Sequence, residues 1–125
     1  MQNIILDNIE NRSLCNVRNF QLPHETERLF TYYSYSDKVP YLQIKRTNKT
    51  VTLVRIRTKV DPQWKEAMNW VSGGFAGQCT NQGSQTWLFK DLDADNPITI
   101  HWSGRGWGKG KFRRGHAIKF YDYNF

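Results

Sequence analysis

Cysteine is nearly missing from this 125-residue chain, with only Cys15 and Cys79 present. Two cysteines exclude the disulfide-stapled scaffolds of small secreted proteins, and they form no paired zinc motif. Two free thiols in a reducing cytoplasm are therefore expected. No stretch approaches the ~18 consecutive apolar residues of a membrane span. The opening residues, MQNIILDNIENRS, lack a basic segment followed by a long apolar one, so no secretory signal is read and a cytoplasmic location is expected. Glycine is absent before Gly73 and tryptophan before Trp64, although the whole chain holds nine and five of them. Neither an internal repeat nor a Ser/Pro linker appears, so residues 1–125 are read as one domain.

Acidic residues are also in deficit. Eleven Asp and Glu stand against 18 Lys and Arg, for a net charge of +7. A basic excess of this size favours polyanionic or phosphate-bearing partners, with plain solubility as the alternative role.

ERLFTYYSYS (27–36) reads as a strand, and Pro40 opens another, YLQIKRT. Asn48 and Lys49 can turn the chain into TVTLVRIRTKV (50–60), making a hairpin. Alternation in that strand gathers Val54, Ile56 and Val60 on one face and Arg55, Arg57 and Lys59 on the other. The cations form a row spaced by about 6.7 Å. DPQWKEAMNWVSGG (61–74) predicts a helix over about 61–72. Asp61 serves as its cap, Pro62 fills its first position and Gly73 ends it. Trp64, Ala67, Met68 and Val71 would form its core-facing stripe. TWLFK, ITIHW and HAIKFYDYNF read as further strands. The fold class expected is α+β: a mostly antiparallel sheet with one short helix.

Asp91, Asp93 and Asp95 alternate like the start of a calcium loop. Asn96 stands where that loop needs glycine, and Trp102 where it needs glutamate, so an acidic turn is expected and no metal. No cofactor motif is found. SGRGWGKGKFRRGH (103–116) fits neither the Walker A pattern nor GxGxxG. Its glycines would let backbone amides approach an anion. Arg105, Lys109, Arg113 and Arg114 supply phosphate-gripping charge, and Trp107 a stacking ring. On this reading Trp107 serves binding, so Trp107→Ala would weaken a ligand and leave the melting temperature nearly unchanged. In GGFAGQCTNQGSQTW (73–87), Phe75 and Asn81 are further ligand candidates, as are Arg55 and Arg57 in the basic row. His101 and His116 flank the glycine stretch and could face one another, but no carboxylate is placed to orient either, so nuclease chemistry is not expected.

A non-enzymatic binder of a small nucleotide is the reading these residues favour, with a single-stranded nucleic-acid binder as the alternative and a protein-binding inhibitor as a third class. Short basic chains of this character, with an aromatic ending such as IKFYDYNF and a loop such as GGFAGQCTNQ, resemble phage-encoded accessory proteins. Some of those are sponges that sequester the signalling nucleotides of bacterial immunity. The resemblance covers the size and character of the whole chain. It implies a homo-oligomer that does no chemistry, acting in the host cytoplasm, and it assigns no residue roles.

Overall fold

One eleven-residue strand organises the molecule. The computed structural model describes residues 13–72 and 77–124. Its strands are β1 (Val17–Arg18), β2 (Leu29–Tyr33), β3 (Lys38–Arg46), β4 (Thr50–Val60), β5 (Trp70–Val71), β6 (Gln78–Cys79), β7 (Trp87–Leu92), β8 (Ile98–Ser103), β9 (Gly106–Trp107) and β10 (Phe112–Arg114). A helix, α1 (Pro62–Glu66), follows β4. β3 pairs with β4 along one edge, through Val51–Arg55. On its other edge β4 pairs first with β8, from Thr50 to Leu53, and then with β7, from Ile56 to Val60. All three pairings are antiparallel. β2, β10 and β9 carry the sheet round from β3 to β8, so six strands close into a barrel. β7 and the short parallel strand β1 extend beyond it. The expected mostly antiparallel sheet with one short helix is present. The barrel replaces the looser α+β description.

The barrel wall is buried on both sides. Adjacent residues Leu29 and Phe30 are fully buried, and so are Leu53 and Val54. Adjacent strand residues face opposite ways, so one of each pair enters the barrel and the other leaves it. Phe30, Val51, Leu53 and Ile100 fill the interior, joined by Tyr41, Trp107 and Phe112. Leu29, Ile56, Val17, Phe20 and Trp87 form a second core outside. The hairpin expected at Asn48–Lys49 is present, with Thr47 and Thr50 paired through backbone and hydroxyls.

Two expected elements are corrected. Asp61 does cap the helix, accepting from the Gln63 N–H at 3.0 Å, but α1 stops at Glu66 instead of running to residue 72. The Asn81 side chain ends it: its amide donates to the Ala67 carbonyl at 2.8 Å and its oxygen accepts from the Asn69 N–H at 2.9 Å. Trp70 and Val71 then join β6 as a strand. Of the expected stripe, Trp64 is buried and Met68 half-buried, while Ala67 and Val71 are exposed. Gly73 lies outside the described residues.

HAIKFYDYNF is no ladder strand. It crosses the body as an extended segment held by side-chain amides that imitate a strand partner. Asn16 binds both the N–H and the C=O of Lys119, at 2.9 and 2.7 Å. Gln85 does the same for Tyr121, at 2.9 and 3.0 Å. Asn124 reaches back to the N–H and C=O of Cys79, at 2.8 and 2.9 Å. A side-chain amide carries the same donor and acceptor as a peptide unit, so it can satisfy a lone extended backbone.

Candidate functional site

The turn from β8 into β9 is tight. Ser103 Oγ accepts from the Arg105 N–H at 3.2 Å. Beyond it, Gly106, Gly108, Lys109 and Gly110 all have positive φ, from 55° to 100°. A Cβ on Gly108 would sit 2.6 Å from the Phe112 ring, and one on Gly110 would sit 2.8 Å from the Arg105 carbonyl oxygen. These glycines meet left-handed conformation and close packing. Freedom to wrap an anion is not what the positions require.

Trp107 on β9 pairs with Trp102 on one side and Phe112 on the other. Its ring is T-shaped to Phe30 at 6.1 Å and lies 5.4 Å from Trp102. Trp107 is therefore half-buried against the barrel core, a placement that argues against the expectation that its removal spares stability. The open ring is Trp102, which is 57% exposed. Sequence reasoning missed it as a site residue. The signal was alternation: Trp102 continues the line of Ile98 and Ile100 and emerges at the barrel's end.

Arg113 and Arg114 part company at β10. Arg114 is the cross-strand partner of Phe30, so it shares the barrel-facing side. Its guanidinium lies 5.3 Å from the Phe30 ring and 5.1 Å from that of Trp107. Nε and Nη2 are shut off from solvent and have no hydrogen-bond partner among the described residues. Burial, reinforced by the charge of Arg46, pushes the Arg114 pKa below its ordinary value. Arg113 pairs with Thr31 on the opposite face, and its guanidinium covers Tyr33 at 5.4 Å. Trp102, Arg105, Trp107, Phe112 and Arg114 enclose a cleft of about 420 Å³, bordered also by Arg113. Lys109 is exposed on the turn beside it.

The other candidates lie apart from this cleft. Arg55, Arg57 and Lys59 are exposed together on one face of β4, while Val54 and Ile56 are buried on the other. That face is the one that carries Val51 and Leu53 into the barrel, so the cations continue an interior line past its rim. Arg57 grips Asp91 through two bonds, at 2.6 and 3.0 Å. Asp93 accepts from the Asn96 side chain at 2.9 Å, in the expected acidic turn. Asn81 is held by Ala67, Asn69 and the Cys79 thiol, so its amide is occupied within the chain. Gln82 and Gln85, from the same polar loop, hold the C-terminal segment. Phe75 lies outside the described residues. Burial pushes the Cys15 thiol up to about 11, which leaves it unreactive at neutral pH.

His101 and His116 do not face one another across the glycine stretch. His101 sits opposite Thr50 on β8, whereas His116 is bound to Thr31 and lies against Tyr33.

Searches of the chain against protein-family models, curated proteins and solved structures found no match.

The cleft's chemistry therefore has to be argued from its own residues. It offers one exposed indole, exposed cations at Arg105 and Arg113, and the half-buried guanidinium of Arg114, two of whose nitrogens are closed to solvent and unpaired among the described residues. An isolated buried charge is costly unless it is paired. The faces of Phe30 and Trp107 offset part of that cost, since aromatic rings attract a cation. They do not accept the in-plane N–H groups of Arg114. An oxyanion in the cleft would, at Nη1 first, since Nε and Nη2 are closed to solvent as the structure stands.

Proposed function

We propose that this protein binds a phosphate-bearing nucleotide without transforming it. The base lies against Trp102, and the phosphate meets Arg114 and Arg105. The supporting observation is the Arg114 guanidinium, enclosed by aromatic rings with two nitrogens lacking any partner among the described residues. A cleft of about 420 Å³ is of the size that small-ligand sites occupy. Sequestration as a phage sponge would follow from this reading if the ligand is a signalling nucleotide. The exposed row of Arg55 and Lys59 favours a second reading, in which the same cleft takes one nucleotide of a longer single strand.

Equilibrium binding of nucleoside mono-, di- and triphosphates and of short single strands, measured by calorimetry, tests this. Trp102→Ala should weaken binding by about 1–3 kcal/mol, the contribution of one stacked base. Arg114→Met should abolish binding yet hold or raise the melting temperature, because it removes an unpaired half-buried charge and keeps the stem's packing. Trp107→Ala, by contrast, should lower stability through the core. Salt separates the ligand classes: a single strand loses affinity at a log–log slope of about −0.7 per phosphate contact, a compact nucleotide far less. Unchanged affinity in both Trp102→Ala and Arg114→Met would reject the cleft as the site.

A further inference from the structure

On the other face of the barrel wall lies a cluster that meets the nucleotide cleft only at Arg113. Tyr33 on β2 is the cross-strand partner of Lys38 on β3. Arg113, on β10, pairs with Thr31, two residues before Tyr33 and on the same face. The register thus sets a cation on either side of Tyr33. The Lys38 Nζ lies 5.3 Å from the ring centre and the Arg113 guanidinium 5.4 Å. Neither cation has a carboxylate within salt-bridge distance among the described residues. The nearest acidic residue along the chain, Asp37, turns an oxygen to the Asp122 N–H at 2.9 Å. Asp122 in turn accepts from Gln82 and from the Asn124 N–H.

His116 completes the cluster, and its tautomer follows from a hydrogen-bond count. Thr31 Oγ has one proton, which goes to the His116 carbonyl at 2.8 Å. Oγ also accepts from the Ile118 N–H at 3.1 Å. Its 2.7 Å contact with Nδ1 then requires Nδ1 to be the donor. Nε2 is left as the bare nitrogen, 3.4 Å from the Tyr33 hydroxyl. In the neutral state that hydroxyl donates to Nε2. When Nε2 takes up a proton it becomes a donor instead, and the Tyr33 O–H must turn outward.

We infer that Tyr33, Lys38, Arg113 and His116 form a second anion site, built for a phosphate group and strengthened when His116 is protonated. Lys38 and Arg113 supply charge from two sides, and the outward Tyr33 O–H supplies a donor between them. Burial first, then the charges of Lys38 and Arg113, hold the imidazole below its ordinary pKa. An anion that neutralises those two cations removes part of that suppression. By linkage, the anion must then bind more tightly to the protonated form. The site shares Arg113 with the border of the Trp102 cleft, but Tyr33, Lys38 and His116 lie outside that cleft's lining. A phosphate diester from a single strand and a monoester from a nucleotide would both satisfy its chemistry.

Sulfate is the probe, because its charge does not change across the pH range of histidine. The titration of His116 is followed by NMR of the ring nitrogens, with exposed His24 as the control for ionic screening. Without sulfate, the neutral ring should show the Nδ1–H form. With sulfate, the His116 pKa should rise by more than that of His24. A rise of about one unit corresponds to tenfold tighter sulfate binding by the protonated form. Arg113→Gln and Lys38→Gln should each remove the differential rise. Two variants are used so that the loss of one fold does not decide the matter, and a thermal melt checks both. Trp102→Ala should leave the rise intact, which separates this site from the nucleotide cleft. Competition by a nucleoside monophosphate and by a short single strand then identifies the source of the phosphate. Equal shifts for His116 and His24, or a full shift in both Arg113→Gln and Lys38→Gln, would overturn the assignment.

Discussion

Replacing Gln85 with leucine should cost this protein a large share of its stability. Gln85 is 3% exposed, and its amide makes four bonds. Nε2 donates to the carbonyls of Gln82 and Tyr121, at 2.9 and 3.0 Å. Oε1 accepts from the Trp87 indole N–H and the Tyr121 N–H, both at 2.9 Å. Leucine nearly matches the volume, so packing changes little and the loss is polar. The groups left behind fare differently. Tyr121 is 47% exposed, so its backbone can turn to water, whereas the Trp87 indole sits on a residue only 8% exposed. Stranding one buried donor costs about 1–3 kcal/mol, and losing the remaining bonds about 1 kcal/mol each. A sum of about 4–6 kcal/mol matches the whole stability of a marginal domain, about 5 kcal/mol at the lower end of the usual range. Urea unfolding followed by tryptophan fluorescence measures it. Amide exchange at Tyr121 and Lys119 should quicken in the same variant, as the segment detaches locally. A loss below about 1 kcal/mol would refute the view that the amide acts as the segment's strand partner.

Two further outcomes are expected. Gly108→Ala forces a side chain into positive φ and against Phe112, so it should destabilise by at least ~1–2 kcal/mol, while Gly104→Ala, with open space around it, should be near neutral in the same melts. Burial opposes the charge on Asp61, but bonds from Thr86, Gln63 and Arg18 outweigh it and hold the carboxyl below its ordinary pKa. A depressed folded pKa gives stability that is present above the unfolded value and lost as pH falls through the folded one. Asp61→Asn should therefore flatten the loss of stability between about pH 4 and lower pH, read from melts in an acid series.

β4 is legible in outline because it obeys a simple rule. Its bounds, its hairpin and the split between Val54/Ile56 and Arg55/Arg57 follow from turn chemistry and alternation. What alternation cannot convey is that the cations' face, which also carries Val51 and Leu53, turns into a buried interior, because a closed barrel buries both sides of its wall along part of a strand. The helix is shorter than its pattern implies because its stop comes from Asn81, fourteen residues beyond the Ala67 carbonyl it captures. No local propensity reports such a contact. The final segment departs from expectation for a related reason: IKFYDYNF has strand composition, but it meets a named strand only at the single bridge between Phe120 and Lys38 of β3, and amides from residues 16 and 85 hold its other backbone groups. At the candidate site, the sequence shows where the charge and aromatic rings lie. It does not show which ring is core and which is open. Trp107 and Trp102 exchange the roles that composition alone suggests, since burial depends on the closure of β8 against β4.

The amide-held segment also constrains how the protein can be made. Asn16 emerges from the ribosome 103 residues before the Lys119 backbone it binds. Until then its amide, Gln85 and the face bearing Leu29 and Trp87 lack part of their cover. Folding to the described state therefore waits for the synthesis of this segment, because a nascent chain stopped near residue 110 has neither β10 to close the ring nor the segment that seals its flank. The same dependence bears on where an affinity tag can be placed. A bulky tag abutting Asn124 crowds the grip that this residue makes on Cys79, whereas a flexible spacer before the tag preserves it.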